Sequence, residues 1–89
     1  MPDSPRRVVL YTVAHDCPLC DEALAHLDSL RATHAFALEV VVVDRDPRLA
    51  IRHALRVPVV EVDGVEVLHG KIARADLERV LRVGSPGSA

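Results

Sequence analysis

Two cysteines, Cys17 and Cys20, are the only cysteines in the 89-residue chain, and they are separated by Pro18 and Leu19. Two thiols at this spacing can exchange electrons with a disulfide, or they can bind a soft metal ion as thiolates. A free cysteine thiol titrates near pH 8.5, and the N-terminus of a helix lowers that pKa, because backbone N–H groups and the helix dipole stabilise an anion. The chemistry of the pair therefore depends on where a helix begins.

The helical pattern begins directly after Cys17. Pro18 suits the first position of a helix because it has no N–H to lose, and Asp21 and Glu22 put negative charge in the first turn. Residues of the apolar face then recur at helical spacing, at Cys20, Ala23, Leu24, Leu27 and Leu30. We predict that Cys17 is the nucleophilic thiolate and that Cys20, one turn later on the apolar face, is the buried resolving thiol.

The remaining pattern indicates an α/β protein. Besides the helix from residue 18, we predict strands at 8–13, 36–43, 59–62 and 65–68, a helix that begins at Asp46-Pro47, and a final helix at 72–82. The first strand is an unbroken apolar run, typical of a strand covered on both faces. A helical crossover makes the first two strands parallel, and the Asp63-Gly64 turn makes the last two antiparallel. The predicted order is βαβαββα.

Composition excludes several classes of protein. Hydrophobic residues make up 49% of the chain and charged residues 27%, with a net charge of -2, which is typical of a folded domain. With two aromatic residues and no basic block, nucleic acid is not an expected partner. No apolar run approaches the roughly 18 residues that cross a membrane. We expect one cytoplasmic, monomeric domain over 1–89, with a core at about 7–83 and frayed ends.

The order of these features resembles the glutaredoxin-like branch of the thioredoxin-fold proteins. The resemblance rests on Tyr11-Thr12 at a strand end, Cys17-Pro18-Leu19-Cys20, and Val57-Pro58-Val59 ahead of the Asp63-Gly64 hairpin. It implies a three-layer thioredoxin-like fold, in which a four-stranded mixed sheet with the first strand at its centre is flanked by helices. It also implies thiol-disulfide oxidoreductase activity and a cis Val57-Pro58 bond beside the cysteines, where Val57 and Pro58 would bind an extended substrate.

The sequence differs from typical glutathione-using glutaredoxins at the positions where those proteins bind glutathione. Those proteins carry a lysine before the first cysteine and a Gly-Gly-x-Asp-type turn before the last helix, whereas here 13–16 is Val-Ala-His-Asp and 69–72 is His-Gly-Lys-Ile. Lys71, Arg56 and Arg45 are candidate substitutes for the missing charged anchors. We expect no bound cofactor, a disulfide-containing protein or small molecule as substrate, and glutathione or a flavoprotein reductase as electron donor.

A module that binds a soft metal such as Cu(I) or Zn through the same two thiolates is the alternative hypothesis. Such domains usually have a ferredoxin-like βαββαβ order, whereas this sequence predicts a helix between the second and third strands. A structural zinc site needs four ligands, and the spacing of His26 and His34 is wider than zinc ligands commonly have. The sequence therefore assigns no residue to a metal site and favours the oxidoreductase, with the soft-metal module as the alternative.

The second predicted helix carries an arginine series. Leu49, Ala50, Ala54 and Leu55 mark this helix, and the arginines are Arg45, Arg48, Arg52 and Arg56. Their near-helical spacing indicates a solvated helix face or, as the alternative, a surface for an anionic partner. His53 belongs with His26, His34 and His69 among histidines that we predict to be solvated or at the edge of the core.

Overall fold

A computed structural model describes residues 6–83, and the predicted frayed ends lie outside the described residues. The strands are β1 (Arg6–Thr12), β2 (Phe36–Val42), β3 (Val59–Val62) and β4 (Val65–His69). The α-helices are α1 (Pro18–Leu30), α2 (Pro47–His53) and α3 (Arg74–Val83), and a short 3₁₀ helix covers Val43–Arg45. These elements confirm the predicted order βαβαββα.

The strands form one mixed sheet in the spatial order β2-β1-β3-β4. β1 and β2 are parallel, with Thr12 opposite Val42, and β3 runs antiparallel to β1, with Val59 opposite Tyr11. β3 and β4 form an antiparallel hairpin. Its turn requires left-handed backbone at both positions, and Asp63 and Gly64 adopt φ angles of 51° and 87°. The predicted strand directions and the interior position of β1 are confirmed.

One face of the sheet packs against α1 and α3. Successive side chains of a strand point to opposite faces, so alternate residues of β1 and β3 reach this side. The resulting core contains Val8, Leu10, Ala23, Leu27, Leu30, Phe36, Val60, Val62, Ile72, Leu77 and Leu81. Because α1 contributes three of these residues, the core holds the helix, and with it the cysteines at its first turn, in place.

α2 covers part of the opposite face. Tyr11, which points away from the main core, stacks on His53 of α2 with 4.3 Å between ring centroids. The layers are therefore helices, sheet and helix, as expected for the thioredoxin-like fold. The expectation that β1 is covered along both faces is only partly correct, because Val9 and Tyr11 are half-buried and Arg7 is exposed.

Several predicted boundaries are wrong by one or two residues. The sequence pattern assigns Leu55 to α2, but the helix ends at His53. Leu55 lies beyond this end and is fully exposed. The chain leaves the helix here to enter Val57-Pro58, and a residue before proline disfavours helical backbone. α3 begins at Arg74, so Ile72 fills the core from the segment ahead of the helix. No helix within residues 6–83 is long and apolar enough to span a membrane.

Candidate active site

Cys17 lies at the N-terminus of α1. It is the N-cap residue and Pro18 occupies the first turn, as predicted from the sequence. The Cys17 sulfur accepts a hydrogen bond from the Cys20 backbone N–H at 3.1 Å. A negative charge on this sulfur would therefore face a backbone donor at the positive end of the helix dipole, the arrangement that lowers a thiol pKa.

A disulfide joins Cys17 and Cys20, with 2.08 Å between the sulfurs and 5.2 Å between the Cα atoms. Cys20 is 3% exposed and belongs to the buried face of α1, whereas Cys17 is only half-buried. The predicted difference in burial is confirmed. A substrate sulfur approaching from solvent therefore meets Cys17 first, and the roles of nucleophile and resolving thiol remain predictions.

Three connecting segments meet at the edge of the sheet where Cys17 lies. Residues 13–17 follow β1, and the 3₁₀ helix follows the parallel strand β2, so both leave the sheet at the same edge. The backbone N–H of Ala14 donates to Asp44 Oδ2 at 3.3 Å, which connects these two segments. The third segment, Val57-Pro58, enters the antiparallel strand β3 at this edge.

The Val57-Pro58 peptide bond is cis, as the resemblance implied. Because Val59 pairs with Tyr11, the next residue back, Pro58, lies beside Thr12 and so beside the segment that leads to Cys17. The Pro58 carbonyl accepts from the Gly70 N–H at 2.9 Å, while Val57 makes no backbone hydrogen bond to any other residue of 6–83. The backbone of Val57 is therefore available to an extended peptide, although its role in substrate binding is still a prediction.

The family model of the Glutaredoxin-like domain (DUF836) matches residues 7–82 of this chain. The chain belongs to this glutaredoxin-like family. The family assignment made from the sequence is thus confirmed over almost the whole of its predicted core.

Solved structures agree with the assignment of this glutaredoxin-like domain. Protein Ne2328 from Nitrosomonas europaea is 30% identical with a TM-score of 0.73, over 88% of this chain and 93% of that one. Protein XcR50 from X. campestris is 34% identical with a TM-score of 0.66, over 81% and 91% of the two chains. A mutant thioredoxin from Halobacterium salinarum shares the fold at 20% identity, with a TM-score of 0.67 over 89% and 74%. No protein of curated function matches the chain.

Two of the three candidate anchors for glutathione are paired with carboxylates in this glutaredoxin-like domain. Lys71 Nζ lies 3.2 Å from Glu22 Oε1, which connects the segment after β4 to the first turn of α1. Arg56 donates to both carboxylate oxygens of Glu66, and this pairing holds the pKa of Glu66 below its usual value. Arg45 forms no ion pair with any other residue in the described part of the chain.

His53 is buried against Tyr11, which the sequence did not predict. It is 5% exposed, against the prediction of a solvated or core-edge histidine, and neither ring nitrogen has a hydrogen-bond partner within residues 6–83. The Tyr11 hydroxyl beneath it donates to Glu61 at 3.1 Å, and partial burial together with the Glu61 charge raises the pKa of Tyr11. The sequence did carry a signal for this burial. His53 follows Leu49 by four residues and Ala50 by three, so helical spacing puts it on the same side of α2 as these apolar residues.

The metal-binding alternative would use the thiolates of Cys17 and Cys20 as ligands. Among the described residues, no three or more His, Cys, Asp or Glu side chains are grouped so that they could hold a metal ion. The observed order of elements also differs from the βαββαβ order of the metal-binding alternative. The arrangement at Cys17 favours thiol-disulfide exchange.

Proposed function

We propose that this glutaredoxin-like domain is a thiol-disulfide oxidoreductase that reduces disulfides of proteins or small molecules. The observation that carries the proposal is the position of Cys17, half-exposed at the N-terminus of α1 and disulfide-bonded to the buried Cys20. A thiol in this position is favoured as a thiolate, and a second thiol one turn later can reach its sulfur.

In the proposed reaction the Cys17 thiolate attacks one sulfur of the substrate disulfide. A Cys17–substrate disulfide forms, and the other substrate sulfur leaves as a thiolate that takes up a proton. Cys20 then gives up its proton and attacks the Cys17 sulfur, which closes the intramolecular disulfide and expels the second substrate thiolate. Two electrons pass from the dithiol to the substrate, and two protons end on the substrate thiols.

Val57 and Pro58 are the proposed substrate-binding residues. The Val57 backbone has no partner within residues 6–83, and it lies at the same edge of the sheet as Cys17. An extended peptide can pair with such a backbone as a short added strand. Leu19, 37% exposed between the cysteines, would provide an apolar contact.

An external thiol donor must re-reduce the Cys17–Cys20 disulfide. We propose glutathione or the dithiol of a flavoprotein reductase, with no cofactor bound to the domain itself. The ion pairs of Lys71 and Arg56 favour the dithiol donor, because a glutathione carboxylate would have to displace Glu22 or Glu66. We also propose that the domain acts as a monomer in the cytoplasm, where two cysteines serve redox chemistry in preference to a structural bridge.

A redox titration of metal-stripped protein tests the proposal. The protein is equilibrated in dithiol buffers, its thiols are alkylated, and its intact mass is recorded at each potential. We expect a reversible two-electron couple between Cys17 and Cys20 at roughly -180 to -270 mV. A pair that does not close reversibly at any potential would contradict the proposal and favour the soft-metal module.

The roles of the two cysteines are tested by trapping. Cys20→Ser should accumulate a mixed disulfide between Cys17 and the substrate, because no second thiol remains to release it. Cys17→Ser should trap none. Mass spectrometry after reaction with an oxidised peptide measures both, and trapping by Cys17→Ser alone would reverse the roles.

A further inference from the structure

The outer side of α2 combines arginines with exposed aliphatic residues. Arg48, Ile51, Arg52 and Leu55 have the spacing i, i+3, i+4, i+7, which puts them on one side of the helix and of the turn that follows it. Ile51 and Leu55 are 89% and 102% exposed. These four residues and Arg45, just ahead of the helix, form what we call the basic stripe. Arginine and apolar side chains together are typical of protein interfaces.

The arginines of the basic stripe form no ion pair within residues 6–83, although two exposed carboxylates, Asp44 and Asp46, flank Arg45. By contrast, Arg56 is paired with Glu66. The carboxylate of Asp46 accepts the Arg48 backbone N–H at 2.9 Å, as the cap of α2. Three arginines against these two carboxylates leave an excess of positive charge over residues 44–52, on a protein whose net charge is -2.

Arg48 and Arg52, the two arginines within α2, flank a surface cavity. Its volume is about 420 Å³, and it is lined by Asp46, Arg48, Leu49 and Arg52. Leu49 offers apolar contact to the methylene groups of an entering side chain, and the two guanidinium groups offer donors to a carboxylate at its end. A glutamate side chain has both of these parts.

Both ends of the basic stripe are connected along the chain to segments of the proposed active site. At one end, Arg45 follows Asp44, which accepts the Ala14 N–H from the segment that leads to Cys17. At the other end, Leu55 stands two residues before Val57-Pro58. A substrate polypeptide could pair with the Val57 backbone and place its disulfide at Cys17. The substrate residues that flank this disulfide would then reach the basic stripe.

We propose that the basic stripe docks an acidic polypeptide that carries the substrate disulfide. This inference rests on the proposed oxidoreductase function and specifies its substrate class: acidic side chains near the disulfide, with apolar residues among them. Exposed charges at the rim of an interface act mainly on the association rate, and salt weakens their effect.

Three synthetic peptides test the inference. They share one intramolecular disulfide loop and are flanked by four Glu, four Gln or four Lys residues. The rate constant for reduction by the reduced protein is measured by rapid quenching and mass spectrometry. We expect the Glu peptide to react at least about tenfold faster than the Gln peptide at low ionic strength, with the difference largely lost near 1 M salt. Equal rates for the three peptides would overturn the inference.

Two double variants with the same change of charge locate the effect. Arg48→Gln/Arg52→Gln should abolish the preference for the Glu peptide and leave the reduction rate of a small uncharged disulfide unchanged. Arg31→Gln/Arg82→Gln is the matched control, because both residues are exposed and lie outside the stripe. A preference that survives in the first variant, or falls equally in both, would overturn the assignment to the stripe.

A binding measurement separates this inference from the proposed function. If no disulfide is reduced, the proposed function fails, and the docking is then judged by NMR titration with a Glu-flanked peptide that carries Ser in place of both cysteines. Shifts concentrated at residues 45–55 support the basic stripe, and shifts elsewhere or none overturn it. Self-association of the wild type that disappears in Arg48→Gln/Arg52→Gln, measured by sedimentation, would assign the stripe to a second copy and also overturn the inference.

Discussion

α1 and α2 both border the proposed active site, but they bury different kinds of residue. α1 places Cys20, Ala23, Leu27 and Leu30 in the protein interior, so its contact with the sheet is apolar. α2 buries His53, a ring with no hydrogen-bond partner within residues 6–83, and leaves Ile51 in solvent. The helix with the cysteines is thus held by the main core, while the buried contact of α2 includes the stack of His53 on Tyr11.

This difference matches the two tasks that the proposals assign to the helices. Thiol-disulfide exchange requires two sulfurs at a fixed separation, and α1 supplies it because its register is set by core packing. Docking of a partner requires exposed side chains with unsatisfied charge, which α2 offers through the basic stripe. The burial of individual side chains on the two helices predicts how much a substitution on each helix changes the free energy of unfolding.

The largest contrast is expected from truncating one aliphatic side chain on each helix. Leu27→Ala should lower the free energy of unfolding by about 2–5 kcal/mol, because Leu27 is fully buried and a cavity remains. Ile51→Ala should change it by less than about 0.5 kcal/mol, because Ile51 is exposed. Urea denaturation of both variants measures this, and similar losses would show that α2 packs more tightly than described above.

An apolar ring in place of His53 would make the inner side of α2 resemble that of α1. His53→Phe keeps a ring on Tyr11 and removes two buried polar nitrogens, so we expect a gain of about 1 kcal/mol or more in unfolding free energy. Ile51→Phe, on the exposed side, is the control and should have no such effect. Destabilisation by both His53→Phe and His53→Leu would contradict this account.

The N-cap of α2 is expected to matter because this short helix has little apolar contact. Asp46→Ala removes the carboxylate that accepts the Arg48 N–H and should cost about 0.5–2 kcal/mol of stability. Asp46→Asn retains a capping oxygen and should cost clearly less. Thermal denaturation compares the two, and equal losses would show that the charge of Asp46 matters more than its hydrogen bond.

The smallest effect is expected at the ion pair between Arg56 and Glu66, just beyond α2. Both side chains are partly exposed, so Glu66→Gln should cost only about 0.2–1 kcal/mol at neutral pH. The folded-state pKa of Glu66 is lowered, so this stabilisation is present above the unfolded pKa of 4.5 and is lost as the pH falls through the folded value. Denaturation curves of wild type and variant should therefore converge in acid, and a constant difference would contradict the assignment.

Local signals predicted the features of the site that depend on neighbours in the chain. Pro18 after Cys17 located the start of α1, and helical spacing placed Cys20 on the buried side. Predictions failed at His53, which Tyr11 of a distant strand covers, and at Leu55, where the nearby proline outweighs the apolar pattern. Leu55 follows an apolar pattern in the sequence, but the chain turns toward Val57-Pro58 there and leaves this side chain in solvent.

The order of the elements, the Asp63-Gly64 turn and the position of Cys17 at a helix start follow from local signals, because propensity, turn geometry and capping act over a few residues. The pairing of β3 with β1, which brings Val57-Pro58 to the edge of the sheet where Cys17 lies, depends on contacts between segments far apart in the chain. Such contacts also cover His53, whereas Ile51 is not covered. The spacing of apolar residues predicts which side chains share a face of a helix or strand. Whether that face is buried depends on contacts with segments far away in the chain.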